Sequence, residues 1–340
     1  MRVKIIGAGS IGNHLAQASR RMGWEVCVVD SDPEALRRMK ESIYPTRYKK
    51  WDDSIELYVS GSEPRNDFDI IMIGTPPDVR AELAVSALRE EPRILLLEKP
   101  LFDPSVQSLD QFKDAYYRQN QTVALVGYDH AVSPSVGRVC ELISSIGKVQ
   151  TIDVEFREHW EGIFNAHPWL SGPQDSYLGF RSRGGGAACE HSHALHLWNL
   201  FSKVAGHGSA KLSTHLMQRG PHPATDYDEI TLFNLVARDM IGRVVQDVIT
   251  KPVRKWARIQ GTSGAIEWCC NVPGRGDVVT IFSGVKKEEI DFPKTRPDDF
   301  LQEMLEIESV IKSDVKAEES PISIESGLAV MNILISVHKK

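Results

Sequence analysis

Through residue 128, short apolar runs alternate with stretches in which apolar positions recur every three or four residues. This predicts strands at 2–6, 25–29, 69–74, 94–97 and 122–127. The helical spacing between them falls at 10–22, 33–42, 76–88 and 105–119, so the sheet is expected to be parallel and doubly wound. The stretch 44–58 is aromatic and basic, with a short helix expected near Trp51. Beyond a helix at about 135–145 the pattern changes. Strand-like runs at 148–156, 210–217, 229–237, 242–250, 256–261 and 278–282 follow without alternating helices, which predicts a mostly antiparallel sheet. One long helix, about 187–205, interrupts them, and a helical pair at 297–312 and 323–338 ends the chain. The fold class is therefore α/β: an N-terminal doubly wound domain over 1–128 and an α+β domain over 129–340, whose C-terminal helices pack back on the first.

Composition narrows the partners. With 340 residues, 41% hydrophobic, 25% charged and a formal charge of -6, the chain has the balance of a globular protein and no basic excess for nucleic acid. Small molecules are the expected ligands. The five cysteines lack any Cys-x-x-Cys spacing, which points to free thiols in a reducing compartment. No secretory signal or membrane-length apolar run is visible, and a cytoplasmic location is expected.

The first strand runs directly into Gly7-Ala8-Gly9-Ser10-Ile11-Gly12 and then a helix, the context a dinucleotide-binding fingerprint requires. Gly7 permits the tight turn, Gly9 lets backbone approach a pyrophosphate, and Gly12 allows close helix packing, with Ser10 and Ile11 opening the helix whose N-terminus favours phosphate. Asp30 ends the second strand at the distance expected for a carboxylate on the adenosine ribose. It would repel a ribose phosphate, so NAD is expected over NADP. Thr75 and Pro76, after the 69–74 strand, should line the nicotinamide side. The run Ile94-Leu95-Leu96-Leu97 stops at Glu98-Lys99-Pro100. Proline ends the strand and pushes Lys99 toward an extended conformation at the sheet's C-terminal edge. Lys99 is thus the first candidate for catalysis, with a plain surface Glu-Lys pair as the rival from spacing alone.

The second centre of chemistry is the helix carrying Glu190, His193 and His196. Residues three apart share a helix face, so these side chains can meet one ligand together. His193 then reads as a general base set by Glu190 or His196, or the three read as ligands for zinc or iron; ordinary core histidines are the third reading. With the glycine fingerprint and Lys99 in the same chain, the general base is preferred and no metal is expected. Ahead of this helix, Arg157, Trp169, Tyr177 and Arg181 supply aromatic faces for a sugar and guanidinium groups for a carboxylate or phosphate.

The combination of Gly7-Ala8-Gly9-Ser10-Ile11-Gly12, Glu98-Lys99-Pro100, Gly127-Tyr128 and Gly184-Gly185-Gly186 leading to a histidine-bearing helix resembles the glucose-fructose oxidoreductase, inositol dehydrogenase and MocA family. The resemblance implies a Rossmann domain followed by an open-faced sheet whose exposed face pairs subunits, hence a homodimer or homotetramer. It further implies reversible hydride transfer between nicotinamide and a secondary alcohol of a sugar, cyclitol, sugar acid or nucleotide sugar. The catalytic roles would fall on Lys99 and His193, with Glu98 beside the cofactor and Tyr128, Glu190 and His196 near the substrate. Two positions depart from the family pattern: His196 stands where Asp is usual, and Asp129-His130-Ala131-Val132 follows Tyr128 where Asn and an Arg-Phe pair are common. A lyase or hydrolase that recycles its NAD, or a regulator that senses NAD or a sugar, would carry the same motifs.

Overall fold

A computed structural model describes residues 1–65, 67–221 and 223–338, which form two compact units. The first comprises Met1–Phe102, Val106–Gly127 and Arg296–Ile324. Along it run β1 (Arg2–Ile6), α1 (Ser10–Arg21), β2 (Glu25–Asp30), α2 (Pro33–Arg38), α3 (Tyr44–Tyr48), β3 (Ile55–Val59), β4 (Ile70–Ile73), α4 (Pro77–Leu88), β5 (Ile94–Glu98), α5 (Val106–Tyr116) and β6 (Val123–Gly127). The strands pair in parallel in the order β3-β2-β1-β4-β5-β6. The direction of winding reverses between β1 and β4, and in sheets of this kind ligands bind beyond the carboxyl ends of the strands at that point. Ile5, Ile71, Leu95, Leu96 and Leu97 are wholly buried, as strands covered on both faces must be.

The 44–58 stretch differs from its expected form. Its helix is α3, which ends before Trp51, and 55–59 is the edge strand β3, paired with β2 from Val26↔Ile55 to Asp30↔Val59. Tyr44 and Pro45 open the helix, and Trp51 sits edge-on to Tyr44 at 5.2 Å as a packing residue.

The second unit comprises Asp103–Ser105, Tyr128–Thr295 and the chain from Glu325 onward. It holds α6 (Pro134–Leu142), β7 (Val149–Arg157), α7 (Trp160–Asn165), α8 (Ala187–Glu190), α9 (His193–Val204), β8 (Lys211–Arg219), β9 (Asp228–Ala237), β10 (Met240–Asp247), β11 (Arg254–Gly261), β12 (Ala265–Val272), β13 (Gly276–Ser283) and β14 (Lys286–Phe292). The eight strands form one sheet, β14-β13-β12-β11-β7-β10-β9-β8, antiparallel except where β7 runs parallel to β10. Strands β12 and β14 are absent from the sequence reading. β14 is almost entirely charged, Lys286-Lys287-Glu288-Glu289, and forms as an edge strand because β13 offers it a ladder. Helix α9 packs on β7 and β10, and α6 on β12 and β13, burying Trp198, Phe156 and Trp268. Leu216 and Ile241 are exposed on the strands.

The expected long helix at 187–205 is two helices. His191 has φ -97° and ψ 23°, and its carbonyl accepts a hydrogen bond from Gln246 Nε2 of β10, so the chain turns tightly before α9 begins at His193. The break places Glu190 at the end of α8 and His193 at the start of α9. Of the C-terminal pair expected on the first domain, α10 (Arg296–Ile311) belongs to the first unit, where Phe300 stacks on His14 at 4.5 Å. Helix α11 (Ile324–His338) belongs to the second from Glu325 on, because its Ser326 and Val337 bond His196 and Arg181 there. No helix among the described residues is long and apolar enough to cross a membrane.

Candidate active site

The three glycines of the fingerprint meet three different constraints. Gly7 has φ +109°, a conformation L side chains rarely adopt, and its N–H donates to the Val29 carbonyl at 2.8 Å. A Cβ on Gly12 would lie 1.9 Å from the Gly7 carbonyl oxygen. A Cβ on Gly9 would meet nothing within 4 Å, so the backbone at the start of α1 faces open space where a pyrophosphate can approach. Asp30 Oδ2 accepts from the Ala8 N–H at 2.7 Å and Oδ1 from the Asp32 N–H at 2.9 Å, fixing the glycine turn. A carboxylate has about four acceptor positions, so two remain for ribose hydroxyls. Thr75, at the end of β4, keeps a buried Oγ1 with no hydrogen-bond partner among the described residues, and Pro76 beside it is exposed. The open glycine cradle, the carboxylate and the orphaned hydroxyl together fit a dinucleotide. A contact absent from the sequence reading involves Arg47 of α3, whose guanidinium donates to the Ser10 carbonyl and to Ser10 Oγ, each at 2.7 Å, while Ile11 packs near Gly74. Burial pulls the Arg47 pKa down from its ordinary value.

Lys99 follows β5 on a backbone held from two sides. Its N–H donates to Glu98 Oε2 at 3.0 Å, and the Glu98 carboxyl lies over Gly127, where a Cβ would come within 2.8 Å of Oε1. From α4, the buried Arg80 donates to the carbonyls of Thr75, Glu98, Pro100 and Leu101, tying the turn after β4 to the segment that presents Lys99. An arginine in a helix recognised from Ala81, Ala84, Val85 and Leu88 gave no sign of this in the sequence. Replacing Arg80 with Met should cost more than about 3 kcal/mol, because hydrogen bonds from a charged donor contribute about 1.5–3 kcal/mol each and the carbonyls are left buried. Denaturant unfolding measures this; an unchanged midpoint would mean the carbonyls find other donors.

In the second unit, residues from the 128–130 turn and from α9 converge. Tyr128 is fully buried, stacks on His196 at 4.0 Å and meets His193 edge-on at 5.5 Å; its hydroxyl donates to Ser192 Oγ at 3.4 Å. His196 Nε2 in turn contacts Ser326 Oγ at 3.0 Å. The carboxylate beside His193 comes from Asp129, whose Oδ1 is 3.7 Å from His193 Nδ1 and also accepts the His130 N–H at 2.8 Å. His130 lies edge-on to His193 at 4.9 Å and to Phe156 at 5.5 Å. The sequence reading placed Glu190, His193 and His196 on one helix face; the structure brings His193 and His196 together with Tyr128, and adds Asp129 and His130, which are distant in sequence from α9.

The other candidate residues have structural partners. Arg157 Nε donates to Asp247 Oδ2 at 2.5 Å, and this bond with those from Thr250 and Ile249 outweighs burial and holds the Asp247 carboxyl below its ordinary range. Trp169 is exposed and edge-on to His167 at 5.4 Å, whereas Tyr177 packs against a buried cluster that includes Trp160, Leu178 and Tyr227. Arg181 Nε is 3.8 Å from Asp228 Oδ1, and Asp228 Oδ2 accepts the Ala188 N–H at 2.6 Å, anchoring the start of α8.

Burial pushes the Asp228 carboxyl up to about 6, against the pull of the Ala188 N–H and Arg181. Its unfolded value is about 3.9, so between about pH 4 and pH 6 the folded state binds the extra proton. Stability contributed by the protonated carboxyl is therefore lost as pH rises through that window, by up to about 3 kcal/mol. Unfolding midpoints of the native chain and Asp228→Asn should diverge across it, the native chain falling relative to the variant. Parallel profiles would show that Asp228 does not titrate there.

Residues 1–128 match the sequence profile of the oxidoreductase family with an NAD-binding Rossmann fold. A search of curated proteins finds no match. Among solved structures, levoglucosan dehydrogenase in complex with NADH is similar over 100% of this chain and 96% of its own, with a TM-score of 0.77 at 17% identity. The WlbA dehydrogenase from Bordetella pertussis, in complex with NADH and UDP-GlcNAcA, is similar over 99% of this chain and 95% of its own, with a TM-score of 0.71 at 16% identity. GenD2 from gentamicin A biosynthesis, in complex with NAD, has a TM-score of 0.75 at 17% identity over 100% and 93%. At these identities the likeness is one of fold. The open cradle at Gly9, the carboxylate at Asp30 and the profile match fall on the same strands: residues 1–128 are similar to the oxidoreductase family with an NAD-binding Rossmann fold.

Proposed function

We propose that the chain is an NAD-dependent dehydrogenase that transfers a hydride between nicotinamide and a secondary alcohol of a sugar, cyclitol, sugar acid or nucleotide sugar. The observation that carries this reading is the 3.7 Å approach of a buried carboxylate, Asp129, to His193 Nδ1. A carboxylate this close to one ring nitrogen favours the imidazolium that forms when the other nitrogen takes a hydroxyl proton. When bound, NAD supplies the hydride acceptor. Gly9, Ser10 and Ile11 would hold its pyrophosphate, Asp30 its ribose, and Thr75 and Pro76 its nicotinamide side. Lys99 stabilises negative charge developing on the substrate oxygen, and His193 takes and holds the proton. Asp30 favours NAD over NADP by repulsion of a ribose phosphate. That levoglucosan dehydrogenase has also been crystallised with NADH and L-sorbose, and WlbA with a nucleotide sugar acid, supports the substrate class.

Calorimetric titration with NAD and NADP, followed by an NADH absorbance screen over sugars, cyclitols, sugar acids and nucleotide sugars, tests the reading. Tight NAD binding with turnover on one class is expected. Tight binding with no turnover on any class would replace the dehydrogenase by a recycled-cofactor enzyme or an NAD sensor.

A further inference from the structure

We propose that Asp129, His130 and His193 form a binding site for one divalent transition-metal ion of the zinc class, and that the bound ion switches off proton transfer at His193. The site stands on geometry alone; the switch rests on the function proposed above. One ligand atom from each of the three side chains lies within 4.8 Å of the others. Zinc bonds to nitrogen and oxygen are about 2.0–2.2 Å, which puts the ligand atoms of a tetrahedral ion about 3.3–3.6 Å apart, so side-chain rotation of about an ångström closes the trio. Two imidazoles and one carboxylate form a borderline donor set that suits zinc or iron and disfavours magnesium or calcium, which seek oxygen. Three protein ligands leave room for a water or substrate oxygen.

The surroundings favour an ion over solvent. Asp129 and His130 are each 3% exposed and His193 8%, with the rings of Tyr128, Phe156 and Trp268 ranged around the two histidines. In so dry a setting the field of the Asp129 carboxylate acts strongly on a cation. The backbone holds Asp129 and His130 in place: they occupy a tight turn, Asp129–Val132, closed by the Ala131 N–H on the Tyr128 carbonyl at 2.9 Å. His193 is fixed by its position at the first turn of α9. Because the nitrogen facing Asp129 is Nδ1, an ion there leaves Nε2 carrying the ring proton. The imidazole can then accept no other, and the proposed base is silenced.

The test uses the full chain, stripped with a chelator and titrated with Zn2+ by calorimetry and with Co2+ by visible absorption. One ion per chain and the intense d–d bands of low-coordinate Co2+ are expected, both lost in Asp129→Asn and in His130→Gln but retained in His196→Gln, whose ring stacks on Tyr128 outside the trio. Absence of stoichiometric binding, or binding that persists in the first two variants, overturns the site. In turnover assays Zn2+ should inhibit the native chain and the chelator restore it. Metal binding without turnover on any alcohol would leave the site standing and remove the dehydrogenase; turnover without metal binding would do the reverse.

Discussion

Replacing Lys99 with Met is expected to lower turnover by about 10²–10³-fold while leaving NAD binding largely intact, the loss typical of removing one fixed donor from a developing oxyanion. The expectation depends on where the backbone puts the side chain. Lys99 is fastened through its own N–H to Glu98 and through neighbouring carbonyls to Arg80, so the ammonium starts from a fixed root at the carboxyl end of β5. Methionine keeps the length and apolar stem and removes only the charge and its three donors. Steady-state rates with the best alcohol from the screen, together with NAD titration, separate the two effects. A variant with native turnover would remove the lysine from the mechanism, and one that lost NAD affinity in proportion to turnover would make it a cofactor ligand only. Arginine is not expected to rescue, because a planar guanidinium cannot place a compact point charge at the same spot.

The second large effect separates two glycines three residues apart. In Gly12→Ala the new Cβ would fall 1.9 Å from a backbone carbonyl, which has no flexible end to swing away, so α1 must lift from β1. A cost of about 3 kcal/mol or more is expected, at the upper end of overpacking penalties. In Gly9→Ala the Cβ meets no atom of the described residues within 4 Å beyond its chain neighbours, and the φ of -75° suits any residue, so stability should hardly change. The methyl group would instead stand where the pyrophosphate approaches, and NAD affinity should fall at least about tenfold, or about 1.4 kcal/mol. Thermal unfolding and NAD calorimetry on both variants give the crossed result. If Gly9→Ala binds NAD as well as the native chain, the cofactor does not lie along this turn.

What was legible in the sequence was what local patterning encodes. Apolar runs bounded by glycine, proline and acid announced β1, β2, β4, β5 and β6, because strands buried on both faces need continuous apolar side chains. The glycine roles were equally readable, since each follows from a missing Cβ at a fixed offset from the strand. Segments whose form depends on a neighbour were not. The strand β14 has no apolar alternation and exists through its ladder to β13; β3 was hidden in an aromatic and basic stretch; and the 187–205 helix breaks because Gln246, more than fifty residues away, takes the carbonyl of His191.

The candidate site divides the same way. Sequence alone nominated His193, Lys99 and the cofactor candidates, because each lies in a motif whose residues are contiguous or a helix turn apart. Only the tertiary structure decided which acid stands beside His193 and which side chain fixes the segment around Lys99. Asp129 and His130 reach His193 across more than sixty residues of chain, and Arg80 reaches four carbonyls from the first turn of α4. Such contacts are set by how strands and helices close on one another, and the periodicity of a sequence records which face a residue occupies but not which distant residue shares its space.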